Sequence, residues 1–148
     1  MFIGSSYHTI DLKGLVIIPA RFRHAIENGG GDGAMVTRLD GALFAYTFDE
    51  WGEIESKVLS LAQTSEYMRR FRRVLIGGAS DCMCDKQARI LIPPVLRQYA
   101  GLEKEIMLVG QIAHFEIWSK ERYEREVMQM EDDMKKEDVG NEIAKLGL

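Results

Sequence analysis

Cysteine is scarce in this chain of 148 residues, and the two that occur, Cys82 and Cys84, sit two positions apart. That excludes a disulfide-stapled scaffold. In a strand, residues two apart share a face, so the pair reads as two small buried or half-buried thiols. His8, His24 and His114 are isolated from one another and from the cysteines. No ligand set at metal-binding spacing emerges, and no metal or other cofactor is assigned. No apolar run approaches the roughly 18 residues of a membrane span. The opening Met1-Phe-Ile-Gly-Ser-Ser-Tyr7 lacks the basic and apolar regions of a signal peptide, so a cytoplasmic protein without membrane association is expected. Paired carboxylates, Ser/His/Asp and Cys/His sets are all missing from informative positions, which leaves an enzyme with a small-molecule substrate as the weakest reading. The glycine cluster Asn28-Gly-Gly-Gly-Asp-Gly33 is not followed by the Gly-Lys-Ser/Thr and helix of a phosphate-binding loop. It reads as a connector.

Positive charge is not in excess either: the net charge is −4. Its distribution is uneven, however. Residues 1–99 carry 12 Lys/Arg against 11 Asp/Glu, whereas residues 100–148 carry 7 against 12. The acid belongs to the C-terminal tail, and a basic face elsewhere remains compatible with DNA.

What the chain does possess is a repeat. Asp11-Leu-Lys-Gly-Leu-Val-Ile-Ile-Pro-Ala-Arg-Phe-Arg23 returns as Asp85-Lys-Gln-Ala-Arg-Ile-Leu-Ile-Pro-Pro-Val-Leu-Arg97. An offset of 74 brings Asp11 onto Asp85, Val16 onto Ile90, Pro19 onto Pro93 and Arg23 onto Arg97. With a small shift Leu43-Phe-Ala-Tyr46 falls on Phe115-Glu-Ile-Trp118. Two copies are too few for a solenoid, and the length is that of one domain. The repeat therefore predicts one body made of two interlocking halves.

Each half reads strand, polar turn, strand, short helix, strand, strand. Residues 3–10 and Leu15–Ile18 are strands that would form a hairpin tipped by Asp11–Gly14. Asp bonds the backbone ahead of it, and Gly tolerates positive φ. Pro19 suits the first turn of a helix reaching about Asn28. Ala34–Arg38 and Leu43–Tyr46 are strands; Asp49–Leu61 and Thr64–Leu75 are helices. The latter carries Arg69, Arg70, Arg72 and Arg73, which point several ways around the helix and read as a solvated or interface face. The second half repeats the plan, with strands at 79–84 and Arg89–Ile92, a helix over Pro93–Ala100 closed by Gly101, and strands Glu105–Val109 and His114–Trp118. Ser119 is the N-cap of a last helix running towards Lys136, with Tyr123, Val127, Met130 and Met134 on one side. That stripe must cover a core or a partner. At the second tip Ala88 replaces Gly14, so a positive φ falls on Ala88 at a cost of about 1 kcal/mol, or moves to Gln87.

These motifs resemble the MraZ family of bacterial transcriptional regulators, within the AbrB-like, swapped-hairpin group of DNA-binding proteins. The resemblance rests on Met1-Phe-Ile-Gly4, both Asp-tipped motifs, Arg21-Phe-Arg23, Leu43-Phe-Ala-Tyr46, Val95-Leu-Arg-Gln-Tyr-Ala-Gly-Leu102, Val109-Gly-Gln111 and Glu116-Ile-Trp118. It runs essentially end to end. It implies an α+β, β-rich, double-split β-barrel with short helices and a C-terminal helix. The implied boundaries are a first AbrB-like repeat at 5–54, a helical connector at 55–80, a second repeat at 81–124 and a tail at 125–148. It further implies a ring-like homo-oligomer in the cytoplasm, associated with the nucleoid. Repeated promoter sites on double-stranded DNA would be its target, typically ahead of the division and cell-wall genes and including its own promoter, with repression as the outcome.

The family's contact motif is Asp-x-x-x-Arg. Asp85 and Arg89 satisfy it, whereas the first repeat has Asp11 but Leu15 in the arginine's place. A guanidinium forks onto a phosphate or a guanine edge, and leucine does neither. Asp repels phosphate, so its expected task is to shape the turn and aim the arginine. Lys13 and Lys86 add point charges near the tips. A second reading is a scaffold or interaction protein that keeps the fold with weakened DNA binding, motivated by Leu15 and the acidic tail.

Overall fold

Short strands with one apolar face cannot bury it alone, and here the strands flanking each tip take their partners from the other repeat. In the computed structural model, which describes residues 1–148, the first half comprises β1 (Ser5–Thr9), β2 (Leu15–Ile17), α1 (Ala20–Glu27), β3 (Gly33–Leu39), β4 (Ala42–Thr47) and α2 (Phe48–Leu59). The connector α3 (Glu66–Gly77) leads to β5 (Ser80–Met83), β6 (Arg89–Leu91), α4 (Pro94–Ala100), β7 (Glu105–Gly110), β8 (His114–Ser119), α5 (Lys120–Asp133) and α6 (Glu137–Ala144). A six-stranded antiparallel sheet has the order β1-β7-β8-β4-β3-β5, and β2 pairs with β6 in a separate two-stranded ribbon. The fold is a split barrel of α+β class.

β1 pairs with β7 of the other half, and its counterpart β5 pairs with β3. The halves are related by an approximate two-fold axis that the registers locate. Val16 faces Ile90, its own counterpart, at the centre of the ribbon, and Phe44 faces its counterpart Glu116 in the β4·β8 pair. The pair Ser6–Leu108 maps onto Ser80–Val36. One expectation needs correcting: β1 and β2 do not form a ladder with each other, nor do β5 and β6. Only the tips close locally, and the arms then diverge into different sheets. By crossing to the other repeat, these strands of three to five residues join a single core that both halves fill.

The barrel interior lies between the six-stranded sheet, the ribbon, α1 and α4. Val16, Ile18, Ile90 and Ile92 enter it from the ribbon, Val36, Leu43, Ile106, Leu108, Phe115 and Ile117 from the sheet, and Phe22, Ile26 and Leu96 from the helices. Burying each such side chain contributes about 1.5–3 kcal/mol. At one end Phe2, Phe22 and Phe115 form a trio with centroid separations of 5.1–5.2 Å. Phe2 is drawn in by backbone bonds in both directions with Ile112, at 2.9 and 2.7 Å. A smaller cluster of Ala42, Met107, Val109 and Trp118 lies on the opposite sheet face beside Tyr123 of α5. Cys82 is buried and Cys84 half-buried, both as free thiols; burial pushes the Cys82 thiol up to about 11.

Helix boundaries follow local chemistry. Thr47, Ser65 and Ser119 accept N–H bonds from Glu50, Met68 and Arg122, and Gly101 closes α4 at φ 64°. Pro19 and Pro93 sit one residue earlier than the first-turn expectation, as N-caps in extended conformation. The last predicted helix stops a little short of Lys136. α5 ends at Asp133, where Lys136 Nζ reaches back to Asp133 Oδ1 at 3.2 Å, and α6 restarts with Glu137 and Asp138 complementing its N-terminal dipole. Beyond Tyr123 the predicted stripe has no cover within the chain: Val127, Met130 and Met134 are all more than 40% exposed. Tyr67 and Val74 of α3 are likewise exposed.

Candidate nucleic-acid interface

The antiparallel ribbon places one tip at each of its ends. Lys13 of the first tip lies beyond the Leu15–Leu91 pair, and Lys86 of the second beyond the Ile17–Arg89 pair. At 3.3–3.4 Å per residue the tips stand on the order of 20 Å apart. Val16 and Ile90 point into the barrel, so Leu15, Ile17, Arg89 and Leu91 form the outward face.

In the first tip Asp11 Oδ1 accepts the N–H groups of Lys13, Gly14 and Leu15 at 2.9–3.0 Å. Asp11 N–H donates to the Leu15 carbonyl and Gly14 N–H to the Asp11 carbonyl. The second tip repeats this, with Asp85 Oδ1 accepting from Gln87 and Arg89 N–H, each at 2.9 Å. Its other oxygen, Oδ2, accepts from Arg89 Nε at 2.8 Å. The aspartate thus holds both the turn and the arginine. With Nε engaged, Nη1 and Nη2 of Arg89 have no protein partner, and its side chain is 35% exposed. Leu15 offers no such group. Each tip is stitched to the far end of the opposite strand, by Ile92 N–H to Gly14 O at 2.9 Å and Ile18 N–H to Ala88 O at 2.8 Å. Lys13 and Lys86 are exposed and form no salt bridge.

The two carboxylates titrate low for a shared reason. The backbone N–H of Leu15 is the largest stabiliser of the Asp11 anion, and that of Arg89 the largest for Asp85, which the Arg89 guanidinium also supports. A depressed folded-state pKa gives stability that is present above the unfolded value and lost as pH falls through the folded one. Both tips are therefore expected to keep their geometry down to about pH 4 and to loosen only below it. Carboxyl carbon shifts followed by NMR, with midpoints for Asp11 and Asp85 below the ordinary aspartate range, check this.

The positive φ lies on Ala88 itself, at 61°, matching Gly14 at 98°. Gln87 does not carry it. Ala88→Gly is expected to stabilise the protein by about 0.5–1 kcal/mol, since relief of the left-handed strain outweighs the extra freedom of glycine in the unfolded chain. Urea unfolding reads the difference. The reverse change is excluded at the first tip, where a Cβ on Gly14 would lie 2.7 Å from the Ile92 carbonyl oxygen and 2.8 Å from Arg97 Nε.

Sequence reasoning left Arg97 out of the site, yet it lies at the first tip. Its Nε donates to the Ile92 carbonyl at 3.0 Å and its Nη1 to the Leu12 carbonyl at 3.4 Å. The signal was present only as the pairing of Arg97 with Arg23 across the repeat. Two of the four arginines of α3 are engaged locally: Arg70 pairs with Glu66 at 3.1 Å, and Arg69 bonds the Gln63 carbonyl.

Comparison with known proteins agrees with this arrangement. The chain matches the family model described as "MraZ protein, putative antitoxin-like" twice, over residues 1–74 and 75–140. It is 60% identical to the "Transcriptional regulator MraZ" of Desulforapulum autotrophicum over 148 residues, covering all of both chains. Proteins of the same name from Desulfosudis oleivorans and Acetivibrio thermocellus are 56% and 40% identical, again over the full length of each. With a duplicated match spanning nearly every residue and relatives this close from end to end, the chain belongs to the MraZ family.

Proposed function

We propose that this protein is a sequence-specific DNA-binding transcriptional regulator that represses the division and cell-wall gene cluster, including its own promoter. The observation carrying this reading is the Asp85–Arg89 pair, in which a carboxylate fixes a partly exposed guanidinium by Nε and leaves both terminal nitrogens unengaged. Such a group forks onto a guanine edge or a phosphate. Lys13 and Lys86 contribute point charges at opposite ends of the same ribbon. No helix is long and apolar enough to cross a membrane.

One subunit presents few contacts, so binding gains from repetition. A homo-oligomer, in ring form, engages successive promoter sites with several tips at once, and linked weak contacts multiply. The exposed apolar residues along α5, Val127, Met130 and Met134, support subunit association, because an apolar helix face without cover in its own chain suits a partner. Footprinting on the DNA upstream of the protein's own gene tests the function. Protection of regularly repeated sites by the wild type, weakened in Arg89→Ala, is expected. Absence of protection in moderate salt would favour the scaffold reading, to which Leu15 and the acidic tail point.

A further inference from the structure

We propose that Arg97, supplied by the second repeat, is the DNA-contacting guanidinium of the first tip and stands in for the arginine that Leu15 replaces. This rests on the DNA-binding reading above and adds a residue to that same surface.

The case begins with a difference between two matched arginines. Arg23 is tied to the first half's own carboxylates: its Nε and Nη2 bond Asp32 at 3.1 and 2.9 Å, and Glu27 lies 3.3 Å away. Asp32 raises its pKa further, and its charge is neutralised in place. In the second half those acids are gone. The backbone bond from Cys84 N–H to Asp32 O has its counterpart in Ile10 N–H to Lys104 O, both at 2.9 Å, so Lys104 occupies the place of Asp32. The place of Glu27, at the C-terminal end of the short helix, is taken by Gly101. Arg97 accordingly forms no salt bridge.

Released from acids, Arg97 turns to the tip. Its Nε and Nη1 bond only carbonyl oxygens, of Ile92 and Leu12. Carbonyl partners orient a guanidinium without cancelling its charge. Nη2 keeps its N–H groups unpartnered, beside Leu12, which is 99% exposed at the apex. The seat exists because residue 14 is glycine: a Cβ there would lie 2.8 Å from Arg97 Nε and 3.0 Å from its guanidinium carbon. The second tip has Ala88 in that seat, and its matched arginine, Arg23, is held by acids elsewhere. Each tip therefore presents one guanidinium with N–H groups to spare, by two routes: Arg89 from its own hairpin, held by Asp85 through Nε alone, and Arg97 from the opposite repeat, held by carbonyl oxygens. Lys13 and Arg97 accompany Asp11 at the first tip as Lys86 and Arg89 accompany Asp85 at the second, so the charge balance of the two tips is the same despite Leu15.

The test uses the full-length protein and the footprinted upstream fragment, with affinity measured by fluorescence anisotropy over a series of salt concentrations. Arg97→Ala is expected to weaken binding about tenfold and to lower the slope of log affinity against log salt by about one per contacting tip. Adding Leu15→Arg to Arg97→Ala is expected to recover most of both, because it restores a guanidinium at that tip without restoring the bonds to Leu12 and Ile92. Arg97→Ala with unchanged affinity and slope, while Arg89→Ala binds weakly, would overturn the inference and leave the DNA-binding reading standing. A weakened Arg97→Ala that Leu15→Arg does not rescue, with a lowered melting temperature, would assign Arg97 a structural role instead. If the wild type itself fails to bind, the reading falls and the inference with it.

Discussion

Arg89→Ala is expected to reduce affinity for the upstream DNA by one to two orders of magnitude. A bidentate arginine contact to a base is worth about 1–3 kcal/mol, and the loss is multiplied wherever several tips of an assembly engage one DNA. The geometry makes Arg89 more exacting than a generic surface charge. Its Nε is fixed at 2.8 Å by Asp85 Oδ2, while Asp85 Oδ1 holds the turn through two backbone N–H groups. Arg89→Lys keeps the charge but not the fork, so it should retain the salt dependence of binding while losing discrimination between operator and unrelated DNA. Asp85→Asn probes the aiming: the turn bonds survive at one oxygen, but the charged partner of Nε is lost. Specific binding should fall while non-specific binding, with one acid fewer at the tip, holds or rises. Competition anisotropy against operator and random DNA separates these outcomes. Equal losses on both DNAs for all three variants would remove Arg89 from direct readout.

Phe22→Ala is the variant expected to cost most stability, about 3–5 kcal/mol. Phe22 has no exposed surface and packs edge-on against Phe2, with Phe115 completing the trio. The three rings come from the N-terminal segment, α1 and β8. Their cavity cannot close by one element moving, because Phe2 is pinned to Ile112 by two backbone bonds. A loss of this size is a large part of the 5–15 kcal/mol typical of a domain. Denaturant titration should show an earlier midpoint with little change in slope. Leu96, the counterpart of Phe22 in the second half, is also buried, and Leu96→Ala should cost about 2–5 kcal/mol.

Much of this architecture was legible in the residues, because repetition is. Once Asp11–Arg23 is laid on Asp85–Arg97, the two-fold relation, the two tips and the alternation of inward Val16 and Ile90 follow. Strand pairing was not. Leu15–Ile17 is apolar and β-branched whichever strand it meets, and the choice of β6 over β1 is made by the barrel that both halves fill together. The conformation of Ala88 was narrowed to two residues and settled only by the backbone, since alanine carries no sign that it accepts a left-handed angle. The last helix stops at Asp133, a little short of Lys136, with no glycine or proline to mark the boundary. Arg97 was invisible as a site residue for a different reason: its environment is set by what is missing around it, the acids present at Asp32 and Glu27 but replaced at Lys104 and Gly101. Its neighbour Leu12 lies 85 residues away in the chain.

Joining both halves of the barrel in one polypeptide has a further effect. A dimer of identical chains must show the same residues on either side of its two-fold axis, hence at both ends of such a ribbon, and so favours palindromic operators. Here the halves have been free to drift, and the ends of the ribbon now differ: leucine, glycine and a borrowed arginine at one, alanine and a resident arginine at the other. The ribbon therefore has a head and a tail. A protein with polarity of this kind can tell which way along the double helix it is facing.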